Sequence, residues 1–164
     1  MRKVFILGVA VALLLGATAS VWAEGVKIGF ADKMKILFEY GKTKELNAEL
    51  EKEGQAARAE IEKRSEEIKK LRDEMELLSE SARNEKRSML EQKVRGLDDY
   101  RREKMQEIGR KQDEGIRKIS DEIAAVCSKY GKSKGYDTII DLRATLYAPS
   151  DQDITADILK ELNK

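Results

Sequence analysis

From residue 42 to residue 130 the chain interleaves apolar and charged positions on a helical period, with no proline to interrupt them. Leu50, Ala57, Leu71 and Leu78 recur at one heptad position, and Ile61, Ile68 and Met75 at the other. That spacing predicts a long helix with one narrow apolar seam. The seam pauses at residues 78–83, Leu-Ser-Glu-Ser-Ala-Arg, and resumes through Leu90, Val94, Leu97, Met105, Ile108, Ile116, Ile119, Ile123, Val126 and Tyr130. Two helices split by a short polar break predict an antiparallel hairpin with its tip near residues 79–82. At about 1.5 Å per residue its first arm is roughly 55 Å long. Nothing else in the chain is large enough to bury it. Residues 42–130 are therefore read as a projecting arm, held by a base made of residues 24–41 and 131–164.

The tip sets the register. Leu71 should face Leu90, Ile68 Val94, Ile61 Arg101, Ala57 Met105, Gly54 Ile108 and Leu46 Ile116. The seam is apolar near the tip and diluted in mid-shaft, where Gly54, Arg64, Arg101 and Gln112 hold core-like positions. Between Val94 and Ile116 the spacing shifts towards an eleven-residue repeat, which removes or reverses a left-handed supercoil. Gly109 and Gly115 each weaken the second helix by roughly 1 kcal/mol relative to alanine. A straight, loosely packed mid-shaft that bends is the expectation.

The base reads differently. Val26, Ile28 and Phe30 alternate along residues 26–31 and predict a strand with one buried side. Asp32 is placed to cap a short helix carrying Met34, Ile36, Leu37 and Tyr40, and Gly41 to allow a change of direction. The second arm outlasts the first, so Ile119, Ile123, Val126 and Tyr130 should pack on the base. Gly131 and Gly135 should end that helix. Residues 138–142 predict a second strand and residues 145–148 a third, which Pro149 stops. A terminal amphipathic helix, opened by residues 150–153, shows Ile154, Ile158, Leu159 and Leu162 on one side. So few short strands do not make a stable sheet alone, and their edges need partners. The economical solution is a closed oligomer that pools strands, with Val26, Ile28, Phe30, Ile139 and Leu146 as its buried positions. The fold class is mainly α with a small β body.

Composition narrows the function. Charged residues are 38% of the 164 and aromatics 5%, so the chain can bury a narrow seam but no large core. The formal net charge of +1, with signs interspersed, gives no basic face for nucleic acid. There is no histidine, and Cys127 is the single cysteine. Neither an internal disulfide nor a cysteine metal site can form. No activating constellation surrounds any serine or carboxylate, so catalysis and a cofactor are not expected. Residues 1–23 read as a secretory signal. Arg2 and Lys3 precede an apolar run over residues 4–15, too short to span a bilayer, and Val21-Trp22-Ala23 offers a cleavage site, with Ala19 as the alternative.

The mature chain resembles the OmpH/Skp family of periplasmic chaperones over nearly its whole length. The resemblance is carried by Lys27-Ile-Gly-Phe-Ala-Asp32, Lys134-Gly-Tyr-Asp-Thr-Ile-Ile-Asp141, Leu146-Tyr-Ala148 and Asp153-Ile-Thr-Ala-Asp-Ile-Leu-Lys160, in this order around a charged helical hairpin. It implies a homotrimer with a small β-barrel body and three helical tentacles around a cavity. It also implies ATP-independent holding of unfolded outer-membrane proteins in the periplasm. A rival reading is a structural coiled-coil adaptor that bridges envelope components.

On that background some residues stand out. Ala56, Ala59, Leu77, Ala82, Met89 and Tyr100 are apolar but off the seam, and are candidate client contacts; the plain alternative is scattered surface apolarity. Arg83, Lys86, Arg87, Lys93 and Arg95 make the tip side of the second helix locally basic. They are candidates for anionic lipid or lipopolysaccharide, or else a solvated helix face. Cys127 is either a buried free thiol or a link between chains.

Overall fold

The computed structural model describes residues 25–164, so the expected signal segment lies outside the described residues. The elements run β1 (Ile28–Ala31), α1 (Lys33–Glu39), α2 (Gly41–Glu76), α3 (Glu80–Lys134), β2 (Thr138–Asp141), two single turns of 3-10 helix (Leu142–Ala144 and Ser150–Gln152) and α4 (Thr155–Leu162). The fold is mainly helical with one small sheet. No helix among the described residues is long and apolar enough to cross a membrane.

Helices α2 and α3 form the antiparallel hairpin. Ala57, Ile68, Leu71, Met75 and Leu97 are buried between them. At the base end of the arm the register is the expected one to within a residue. Leu46 lies against Gly115, beside the expected Ile116. The reversal comes slightly earlier than expected. Leu77 closes α2, and Ser79 caps α3, its hydroxyl facing the Ala82 amide at 3.5 Å.

The base packs on the long end of α3. Its core joins Ala31, Ile36, Leu37 and Tyr40 to Ile119 and Ile123 of α3 and to Ile154 and Ile158 of α4. Val126 and Tyr130 pack against this cluster, as their lack of partners in the first arm requires. The Asp32 carboxylate caps α1 by accepting from the Lys35 amide at 2.9 Å. The Asp32 amide donates to Thr155 Oγ1 at 2.9 Å and so ties α1 to the start of α4.

Three expectations for the base are corrected. The sheet has two strands, β1 and β2, running parallel with Gly29 opposite Ile139 and Phe30 opposite Ile140. Residues 145–148 form no strand: Leu146 and Tyr147 stand exposed and pair with no ladder, and among the described residues one isolated bridge, from Asp153 to Phe30, extends the sheet. The strand face that meets the main core cluster is Gly29 and Ala31; on the expected face Phe30 is buried apart from that cluster, Ile28 is half-buried and Val26 is exposed. A Cβ on Gly29 would sit 3.0 Å from Ile154 and 3.1 Å from the Tyr136 ring, so the missing side chain is what lets α4 and Tyr136 close over β1. Finally, the change of direction before the arm needs no glycine freedom. Tyr40 makes it in extended geometry, and Gly41 is already helical. At the far end α3 runs through Gly131 and stops at Gly135, whose φ of 71° is the left-handed cap.

Candidate interaction surfaces

The arm has two unlike flanks. On one, Glu53, Glu60, Glu67 and Glu74 recur every seventh residue of α2, and Lys86, Lys93, Tyr100 and Glu107 every seventh residue of α3. Antiparallel register brings the rows together. Lys86 meets Glu74 at 2.9 Å and Lys93 meets Glu67 at 2.9 Å. Arg64, held by Glu60 at 2.7 Å, lies over the Tyr100 ring at 4.2 Å. Lys111 bridges Glu53 and Glu107, and Lys104 joins Glu107 at 2.6 Å. Hydrogen bonds from Lys93 and from Lys104 hold the Glu67 and Glu107 carboxyls below the usual range, and that of Glu53 raises Lys111. Water screens all of these pairs, so the row acts mainly as a register device.

The other flank is open. Between Leu50 and Ile61 of α2 and Arg101 and Ile108 of α3 the helices leave a groove of about 770 Å³. Leu50, Ile61 and Ile108 are only half-buried there, and Met105 is 72% exposed. The seam reading had put Met105 inside. The signal against it was in the spacing, because eight residues on from Leu97 carry a side chain about 80° round the helix.

At the tip, Arg83 turns inward. Its guanidinium donates to the carbonyls of Met75 at 3.1 Å, Glu76 at 3.3 Å and Leu78 at 3.2 Å. A helix end leaves its last carbonyls short of partners; Arg83 serves those of Glu76 and Leu78 and shares that of Met75 with the Leu78 amide. Of the five basic candidates, Arg83 is thus a cap, Lys86 and Lys93 face acids across the arm, and Arg95 lies 3.5 Å from Glu91. Arg87 is exposed and has no ion pair among the described residues. The lipid set is therefore largely engaged within the arm itself.

The client candidates separate into places. Leu77, at 90% exposure, and Met89 stand near the tip, where Ala82 is half-buried. Ala56 and Tyr100 share a cavity of about 290 Å³ on the ladder flank, with Tyr100 half-buried beneath Arg64. Ala59 is exposed on α2.

At the base, Ile139 points inward onto Gly131, whereas Leu146 is fully exposed and Val26 largely so. Ile28 is half-buried, and Phe30 is buried outside the main core cluster. Sequence reasoning missed Phe38 and Tyr147, both well exposed. Cys127 is half-buried near Ile139, and burial pushes its thiol pKa up. Among the described residues no cluster of acids and cysteine is arranged to hold a metal.

Comparison places this architecture. The profile of the outer membrane protein (OmpH-like) family matches residues 27–162. No curated protein sequence matches the chain. The crystal structure of a "putative outer membrane chaperone (OmpH-like)" from Caulobacter crescentus CB15 superposes with a TM-score of 0.77 over 83% of each chain, at 13% identity. At that identity the likeness is one of fold.

Proposed function

The chain belongs to the OmpH-like outer membrane protein family, and from that premise we propose that it is a periplasmic holdase chaperone. It is exported through the inner membrane, with residues 1–23 removed as a signal peptide. It then assembles, as a trimer, through a β-barrel base. It holds unfolded outer-membrane proteins between its arms without ATP and without catalysis, and so prevents their aggregation before insertion.

The observation that carries this reading is the arm itself. A long charged hairpin displays Leu77, Met89 and Met105 singly along its length rather than in one enclosed pocket. Such sites bind weakly one by one. Several arms around one space raise the effective concentration and hold a client in sum. No nucleotide is required, since holding is a binding equilibrium. Assembly is supported at the base, where Val26, Phe38, Leu146 and Tyr147 stand exposed beside a two-stranded sheet. A sheet that small needs more strands or a covering partner.

The test is aggregation suppression by the purified mature chain, without nucleotide, for several unrelated urea-unfolded barrel proteins, with light scattering to count subunits. Suppression of all of them by an oligomer is the expected result. Binding to one folded partner, with no suppression, would establish the adaptor instead.

A further inference from the structure

We propose that the open flank of the arm is a docking groove for extended, unfolded segments that carry apolar side chains next to carboxylates. This rests on the holdase reading and gives its client contact a place and a chemistry.

The groove has a structural cause. Towards the tip the seam closes at Ile68, Leu71 and Leu97, all buried, before a smaller recess of about 380 Å³ beside Met75 and Leu90. In mid-shaft two small residues, Gly54 and Ala57, come one turn apart on α2. A Cβ built on Gly54 meets nothing within 4 Å, so α3 does not fill the space that glycine leaves. Below the groove the packing closes again, with Leu46 pressed on Gly115. The opening is thus bounded along the arm at both ends by close packing. On its far side the ladder of ion pairs keeps the two helices in register. The floor is apolar, made by Leu50, Ala57, Ile61 and Ile108, with Met105 as an adaptable wall.

The rim gives the sign of the occupant. Arg58, Arg101 and Lys104 border the groove against a single acid, Glu51. Arg58 takes part in no ion pair among the described residues, and Arg101 lies 3.7 Å from Asp98, a loose contact. Lys104 is held by Glu107. Two guanidinium groups are therefore available to meet carboxylates, and their planar forks suit that pairing. A lysine-rich segment would face them with like charge. The arm as a whole is nearly neutral, so selection of acidic-apolar segments would come from this rim and not from a general field.

The experiment uses the full mature chain and two dye-labelled unstructured peptides of alternating leucine and serine. One carries aspartates between the leucines, and the other carries lysines at the same places. Fluorescence anisotropy should show the aspartate peptide binding about tenfold tighter. Gly54→Leu grows a side chain into the open groove and should weaken that peptide about tenfold, with helicity and melting temperature kept. Arg58→Glu with Arg101→Glu, which fills nothing, should reverse the preference between the peptides; it keeps the test open if Gly54→Leu does not fold. Equal affinity of the wild type for both peptides, or a double variant with unchanged preference, overturns the groove. Suppression of barrel aggregation by the wild type is run beside these assays. If it is normal while the peptide results fail, the holdase reading stands and the groove alone is lost. If the wild type suppresses nothing, the holdase reading fails on its own measurement.

Discussion

Tyr130 joins arm to base through one hydroxyl, which donates to Asp157 Oδ2 at 2.8 Å. Burial, and then this bond to an acid, push its phenol from 10.0 up to about 12. A raised phenol pKa favours the neutral form in the fold. The added stability is therefore complete below about pH 10 and is lost as pH climbs towards about 12. Tyr130→Phe should melt lower than the wild type at neutral pH by the equivalent of about 1 kcal/mol. That gap should narrow across the alkaline window in a pH series of thermal melts; a gap that stays constant would mean that neither burial nor Asp157 raises the phenol. The glycines of α3 make a second residue-scale contrast. A Cβ on Gly109 meets nothing within 4 Å, whereas one on Gly115 would lie 2.6 Å from Leu46 Cδ2. Gly109→Ala should stabilise the helix by about 1 kcal/mol. Gly115→Ala should give less, or a loss, because Leu46 must move. Urea melts of the two variants rank them, and the opposite order would refute the close approach.

At the scale of the element, the hairpin is held by a seam, a ladder and a tip cap. Arg83→Ala removes the donor shared by three carbonyls at the end of α2. The expected cost is about 1 kcal/mol, with faster amide exchange confined to the turn and the last turn of α2. If exchange there is unchanged while vesicle binding falls, Arg83 is a lipid contact rather than a cap. Much of this element was legible. Heptad spacing and the polar break gave the pairing, because a seam buried on one side penalises every other register. The ladder was legible too, since Glu53, Glu60, Glu67 and Glu74 recur at sevens opposite Lys86 and Lys93. Reading the basic residues on their own helix alone concealed their partners. Met105 was misplaced because a seam drawn as a list of apolar residues ignores the angle each step adds.

At the scale of the whole molecule, the base is where sequence reasoning reached least. Four-residue strands carry too few alternations to say which face turns inward, and Gly29, with no side chain to register, defines the inner one. The parallel pairing and the bare loop at Leu146 and Tyr147 depend on contacts between distant parts of the chain. In the proposed assembly, the outer face of β1 meets other chains. Ile28→Asp should then abolish the oligomer while leaving the arm helical, because an unpaired buried charge costs several kcal/mol. Light scattering with circular dichroism reads both. A normal oligomer in this variant would place Ile28 outside the interface.

The two strands that pair at the base flank the entire arm in the chain. Lys27 and Asp137, hydrogen-bonded at 2.7 Å, are 110 residues apart. Closing so long a loop in a disordered chain is entropically costly and slow. The hairpin shortens it. Once α2 and α3 zip from their local turn, the start of α2 is delivered beside Glu122, which Lys42 meets at 2.6 Å, and only the last turns of α3 then separate β1 from β2. Topology thus predicts a folding order, arm first and base second; pulsed amide exchange that protects β1 and β2 before α2 and α3 would refute it. In the proposed export, with the N-terminus leading, β1 would cross the membrane early and wait, without a partner, until α3 had emerged. In the proposed holdase, the arm that holds other unfolded chains would first have gathered the two ends of its own.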